Sequence, residues 1–320
     1  MKKFLALMLT MIIIIVVLTS CSSESTNDGR TVIRIAYLPI THAMPVFVAN
    51  DLVNDDDNFT VELIRYGTWP ELMDALNSGH VDGASVLVQL AMASNERGID
   101  IRAMALGHRD GNIIAVANYI DTVEDLRGRT IAIPSSLSTH NILLNRLLLD
   151  NGMSVDDVEV ILLAPTEMVS ALASGSISAY VVAEPFGARA VTTGVGKSFA
   201  ESHEIWEDSV CCAFVFSYNF IENNREVAIE FMRKYHAAGD LLEENINPIS
   251  DHIREIASRH LIIDDETLDI SMQWISFNSL DIREQEYREL YDYWLLFDLP
   301  QAPPQFDDFV LNLYSLDPIH

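Results

Sequence analysis

The feature that most restricts the fold is an internal repeat. Glu71-Leu72, Ala75-Leu76, Ser78-Gly79 and Val81 recur 96 positions later as Glu167-Met168, Ala171-Leu172, Ser174-Gly175 and Ile177. In each copy the apolar residues share one helix face, a glycine stops the helix, and a strand follows at once. The same offset relates Ile35-Ala36 to Ile131-Ala132, inside two β-rich runs. A chain that repeats strand and helix in this way builds two similar α/β lobes rather than a helical bundle or a β-sandwich.

Strands are expected at 32–38, 59–66, 81–87, 101–107, 113–118, 130–134, 158–163, 177–183 and 210–217, alternating with helices. From about Asn219 the pattern is helical alone, at 222–244, 249–259, 266–275, 283–297 and 306–316, interrupted at Pro300, Pro303 and Pro304. The expected division is a leader at 1–20, a tether at 21–30, lobe I at 31–115, lobe II at 116–212, and a return to lobe I with C-terminal helices at 213–320. Lobes joined by two extended connections, near 112–119 and 210–218, are expected to rotate about them and close on a ligand.

The leader sets the compartment. Lys2 and Lys3 precede an apolar run from Phe4 to Leu18, and Leu18-Thr19-Ser20-Cys21 resembles the lipobox of bacterial lipoproteins. Fifteen residues fall short of the ~20 that span a bilayer. Cys21 is therefore the expected lipidated N-terminus, anchoring the chain to the outer face of the cell membrane through the polar tether that follows. Twenty basic against 47 acidic residues, a formal net charge of −27, oppose phosphate backbones, so no nucleic-acid partner is expected. Cys211 and Cys212 are adjacent, which disfavours a mutual disulfide, and they read as small apolar residues of a buried strand.

In open α/β sheets ligands sit beyond the carboxyl ends of strands, so the strand-to-helix turns carry the functional reading. Thr41-His42 follows the first strand, where Thr41 is expected to cap the next helix. Ser136, Ser138, Thr139 and His140 occupy the equivalent turn of lobe II. Both lobes thus present Thr-His at a helix N-terminus, which attracts anions and keeps imidazole neutral. Trp69, in a Gly-Thr-Trp-Pro turn, offers a flat face and one N–H donor at the cleft lip. Ser85 ends the third strand, His108 follows the fourth beside Arg109, and Glu184 closes the third strand of lobe II.

No Gly-rich phosphate loop, G-x-S-x-G elbow or H-E-x-x-H pair occurs, so no catalytic residues, no cofactor and no enzymatic activity are expected. His42, His108, His140 and Glu184 together form an alternative N/O set for zinc.

The runs RIAYLPITHA, GTWPELMDALNSGHVDGASVL, GHRDGN, VEDLRGRTIAIP and YVVAEPFGARAV occur in an order that resembles the nitrate/sulfonate/bicarbonate/taurine family of solute-binding proteins of ABC importers, whose relatives include thiamine-precursor-like binding proteins. The resemblance implies a type II periplasmic-binding-protein fold, two α/β lobes around a cleft. It further implies a monomer that delivers a small solute to an ABC permease and its ATPase. In nitrate- and bicarbonate-binding members a Trp and a Thr-His pair contact the anion, which here correspond to Trp69 and Thr139-His140, and the Glu-Pro turn to Glu184-Pro185. The family's lysine and glutamine donors have no counterpart that can be placed here, and the strongly negative charge suits a small heteroaromatic as well as an anion. A pyrimidine-forming enzyme also resembles these proteins, but the export signal argues against that activity.

Overall fold

The computed structural model describes residues 29–300 and 302–313, so Cys21, the leader and most of the tether lie outside the described residues. Two five-stranded sheets form the two lobes. In lobe I, β1 (Thr31–Tyr37), β2 (Phe59–Arg65), β3 (Gly83–Leu87) and β4 (Ile101–Leu106) are joined by α1 (Met44–Asp51), α2 (Trp69–Asn77) and α3 (Val88–Glu96). Lobe II contains β5 (Asn112–Val116), β6 (Thr130–Ile133), β7 (Glu159–Leu162), β8 (Ala179–Ala183) and β9 (Lys197–Glu201), with α4 (Thr139–Asp150), α5 (Pro165–Ser174) and α6 (Phe186–Thr192). The chain then returns to lobe I as β10 (Cys212–Ser217).

The strand order is β2-β1-β3-β10-β4 in lobe I and β9-β5-β8-β6-β7 in lobe II. β10 runs antiparallel between β3 and β4, and β5 runs antiparallel beside β8. Each lobe therefore holds one strand that enters from the opposite side of a crossover. The repeat extends to register, because Ile35 pairs with Gly83 and Ile131 pairs with Ala179, both displaced by the same offset. Gly175 ends α5 in the left-handed conformation, at φ 75°, as the repeat requires.

The first crossover lies at 107–111, not at 112–119, because Asn112–Val116 is already hydrogen-bonded into the second sheet. The expected lobe I limit at 115 moves back accordingly, and Cys212 belongs to lobe I. β9 was missed in the sequence: its Lys-Ser-Phe-Ala-Glu run is partly exposed and edges the sheet, so it lacks a continuous apolar signal.

The C-terminal helices α7 (Arg225–Asn245), α8 (Asp251–His260), α9 (Asp265–Ser271) and α10 (Glu284–Leu296) pack over the lobes. Of the helix expected at 306–316, only Phe306–Phe309 is helical, because Val310 leaves it to bridge Ala103 beside β4; residues 314–316 lie outside the described residues. A short ribbon pairs Arg109-Asp110 of the first crossover with Ile275-Ser276. Arg109 is buried there, donating to the carbonyls of Asn278 and Ser279 and to the carboxylate of Glu286. The C-terminal segment thus fixes the crossover that carries His108.

Candidate functional site

The two Thr-His turns do equivalent work, though not as helix caps. Thr41 lies in a single turn of 3-10 helix preceding α1, and its hydroxyl donates to the Glu184 carbonyl oxygen at 3.0 Å. Its amide donates to the same oxygen at 2.9 Å, tying lobe I to lobe II. In lobe II the Thr139 hydroxyl donates to the carbonyl of Val210, in the second crossover, at 2.5 Å and accepts from Gln89 Nε2 of α3 at 2.7 Å. Capping of α4 falls instead to Ser138, whose hydroxyl accepts from the Asn141 amide and donates to the Ser135 carbonyl. Both expected ligand hydroxyls, Thr41 and Thr139, are thereby committed to interlobe bonds, and that of Ser138 to its cap. Ser136 is exposed, and its carbonyl accepts from the Asn141 side chain. Ser85 is buried within β3, paired in register with Phe214 of β10.

With their threonines anchored, the histidines turn inward. His42 is fully buried, and its Nε2 donates to the Gly111 carbonyl at 2.9 Å. A carbonyl only accepts, so Nε2 carries a proton, and in the neutral ring Nδ1 offers its lone pair. That Nδ1 lies 3.5 Å from Cys212 Sγ. The Gly111 oxygen also receives the Glu184 amide, so one crossover carbonyl joins both lobes. His108 packs against His42, with ring centroids 3.4 Å apart and planes inclined by 31°. Cys211 Sγ is 4.0 Å from Cys212 Sγ and 3.5 Å from Asn112 Oδ1.

One ligand atom from each of His42, His108, Cys211 and Cys212 falls within a group whose members all lie within 4.8 Å of one another, every residue buried. His140 is also buried and close enough for the charges of Cys211 and His42 to act on its protonation. Both ring nitrogens of His108 and both of His140 lack hydrogen-bond partners, although buried polar groups are nearly always paired. Burial holds the pKa of each at about 4, with His42 adding to the effect, so both imidazoles are neutral near pH 7 and present lone pairs. Burial opposes ionisation of Cys211, but the Cys212 thiol and the surrounding His140, His108 and His42 more than offset it, leaving the Cys211 pKa well below that of a free thiol. Burial pushes Cys212 upward.

This arrangement corrects two sequence expectations. Cys211 and Cys212 are buried but do not act only as packing residues, since both sulfurs face the histidines. Glu184 is not part of the cluster: its Oε2 accepts from the Ala188 amide at 2.9 Å, at the start of α6, and its Oε1 is buried without a partner. Burial raises its pKa to about 8, so it is largely neutral at pH 7. The side chain serves its own helix, and the backbone carbonyl makes the interlobe bond.

The donor spacing suits a tetrahedral ion. Metal–sulfur bonds of ~2.3 Å and metal–nitrogen bonds of ~2.0 Å separate two sulfurs by ~3.8 Å and a sulfur from a nitrogen by ~3.5 Å. The sulfurs here are 4.0 Å apart, and Cys212 Sγ is 3.5 Å from His42 Nδ1. Trp69 lies elsewhere along the interlobe boundary, 3% exposed, with Nε1 unpartnered. It borders a cavity of about 250 Å³ between α2, α3 and the β6–α4 turn, lined also by Met73, Leu90, Arg97, Pro134 and Leu137.

Two α/β lobes with this strand order and two crossovers define a type II periplasmic-binding-protein fold. The chain belongs to the NMT1-like family, whose model matches residues 27–259. The ligand-binding component of an ABC-type import system from Staphylococcus aureus, solved with zinc bound, superposes with a TM-score of 0.85 at 32% identity, over 90% of this chain and 99% of that one. The alkanesulfonate-binding protein SsuA from Xanthomonas axonopodis pv. citri, bound to MOPS, gives 0.73 at 17% identity, over 89% and 100%. Among curated relatives, the bicarbonate transport ATP-binding protein CmpC of Synechocystis sp. is 28% identical over 198 residues, 55% of this chain and 30% of its own length. The nitrate/nitrite binding protein NrtA of Nostoc sp. is 24% identical over 221 residues, 61% of this chain and 50% of that protein. The chain thus spans about a third of the length of the first curated relatives it matches.

Proposed function

We propose that this protein is the extracytoplasmic solute-binding component of an ABC importer and that its solute is a transition-metal ion, with zinc the first candidate, held by His42, His108, Cys211 and Cys212. The observation that carries the reading is the buried S₂N₂ group, with sulfur–sulfur and sulfur–nitrogen spacings close to those of a tetrahedral ion. The zinc in the Staphylococcus aureus relative supports the choice of ion. Lipidation of Cys21 is proposed as the membrane anchor, and an ABC permease with its ATPase as the partners of a monomeric protein. Binding without catalysis is the proposed activity.

A second reading is capture of a small anion or heteroaromatic beside Trp69, favoured by the unpartnered indole N–H at the 250 Å³ cavity and by the nitrate and sulfonate relatives. The four-donor group favours the metal, because neutral imidazoles and thiols supply lone pairs and no fixed positive charge. The separating experiment is elemental analysis of protein purified without added metal, followed by zinc titration and a thermal-shift panel of nitrate, bicarbonate, taurine and alkanesulfonates. One zinc per chain, displaced by EDTA, is expected. Stabilisation by an anion with no bound metal would reject the metal reading and favour the second.

A further inference from the structure

The donors are divided unequally between the lobes. His42 follows β1, His108 lies in the first crossover, Cys211 ends the second crossover and Cys212 begins β10, so all four belong to lobe I or to its connections. His140 alone comes from lobe II, as the second residue of α4. Resting on the metal reading above, we infer that lobe I and the crossovers can hold the ion by themselves and that His140 is a gate ligand which slows its release once the lobes are closed.

Three observations carry this. His140 is 1% exposed, with neither ring nitrogen partnered, so its imidazole is held ready for a group that protein atoms do not supply. Its neighbour Thr139 is the latch itself, bonded at once to Gln89 of lobe I and to Val210, which adjoins Cys211. Closing the lobes therefore seats His140 beside the segment that carries Cys211. Finally, the lobe I group already offers four donors, a complete tetrahedral set, so a fifth is more useful as an exchanging ligand that covers the ion than as a requirement for holding it.

The test loads wild type, His140→Ala, Thr139→Val and His42→Ala with one equivalent of zinc, counts retained metal after desalting, and follows release to an excess of a chromogenic chelator by stopped flow. His140→Ala removes two unpaired buried nitrogens at the cost of a small cavity, and circular dichroism with thermal melting selects folded protein for the comparison. Wild type and His140→Ala are expected to retain one zinc per chain, with release at least tenfold faster from His140→Ala. Thr139→Val keeps every donor and loses the latch, so it too should release faster, whereas His42→Ala should fail to retain zinc. Release from His140→Ala at the wild-type rate would overturn the inference. So would a folded His140→Ala that retains no zinc, since His140 would then belong to the essential set. Wild type that binds no zinc would reject the metal reading itself, a result distinct from either.

Discussion

Thr41 and Glu184 are joined twice through a single atom: the hydroxyl and the amide of Thr41 both donate to the Glu184 carbonyl oxygen, at 3.0 and 2.9 Å. This contact and the Gln89–Thr139 pair span the lobes on separate turns. Thr41→Val removes one donor and leaves the amide bond in place, so the closed state should lose ~0.5–1.5 kcal/mol, up to about tenfold in the open population. Small-angle scattering of the metal-free variant should give a larger radius of gyration than wild type, and zinc should restore the wild-type value. An unchanged radius in metal-free Thr41→Val would mean that this bond does not hold the lobes.

Glu184 gives the protein a pH dependence of definite sign. Its pKa is raised to about 8 in the fold, against an ordinary value of 4.5. Between those values the folded state carries the proton and the unfolded chain does not, so this group's contribution to stability is full below pH 4.5 and is lost as pH rises through 8. The slope is about 1.4 kcal/mol per pH unit across the window. Glu184→Gln should keep the acceptor for the Ala188 amide and flatten the profile. Denaturant midpoints from pH 5 to 8 check this; parallel profiles for variant and wild type would exclude Glu184 as the source.

The Arg109–Glu286 pair supports the crossover from behind. Both side chains are nearly buried, at 5% and 10% exposure, and Glu286 also receives Arg283. Glu286→Ala leaves the Arg109 guanidinium with backbone carbonyls alone and should cost about 3 kcal/mol. Replacing both partners together, as Arg109→Met with Glu286→Leu, should recover part of that loss. Equal destabilisation by the single and the double substitution, measured by calorimetry, would show that the unpaired charge is not what matters.

Much of the architecture was legible because it depends on local patterning. The helix-glycine-strand repeat marked the two lobes, and the structure carries the same offset into the Ile35–Gly83 and Ile131–Ala179 pairings. The candidate site was half legible. Thr-His at equivalent turns marked His42 and His140, and His108 followed from its strand-end position. Cys211 and Cys212 read as packing residues because apolar neighbours give a buried strand whatever its thiols face. Only the return crossover sets them against His42, 170 positions earlier in the chain. Adjacent thiols at the start of a strand that re-enters the first lobe were the available signal. Glu184 stands outside the four-donor group, and a sequence shows a carboxylate without showing that its backbone oxygen is the interlobe acceptor. Gln89 carried no local signal for its bond to Thr139.

Gly107 lies between the segments that carry His42 and Cys212, two of the proposed ligands. Its amide donates to the Cys212 carbonyl at 2.8 Å, and a methyl group in place of its hydrogen would lie 2.7 Å from the His42 carbonyl oxygen and 3.4 Å from Cys212 Cβ. The first of these contacts is with backbone, so it cannot be relieved by a side-chain rotation. Gly107→Ala therefore wedges the His42 turn away from the β4 end that leads into His108 and from β10. Overpacking of this kind costs ~1–3 kcal/mol, and here the displacement falls between ligands. Zinc affinity should drop by at least tenfold while circular dichroism stays that of the folded protein. Gly79→Ala is the control: its φ of 74° imposes a strain on alanine, but nothing lies within 4 Å of the added methyl and the position is remote from the ligand group, so stability should fall with little change in zinc affinity. If both variants lost stability and neither lost zinc, the close approach at Gly107 would be a matter of packing alone.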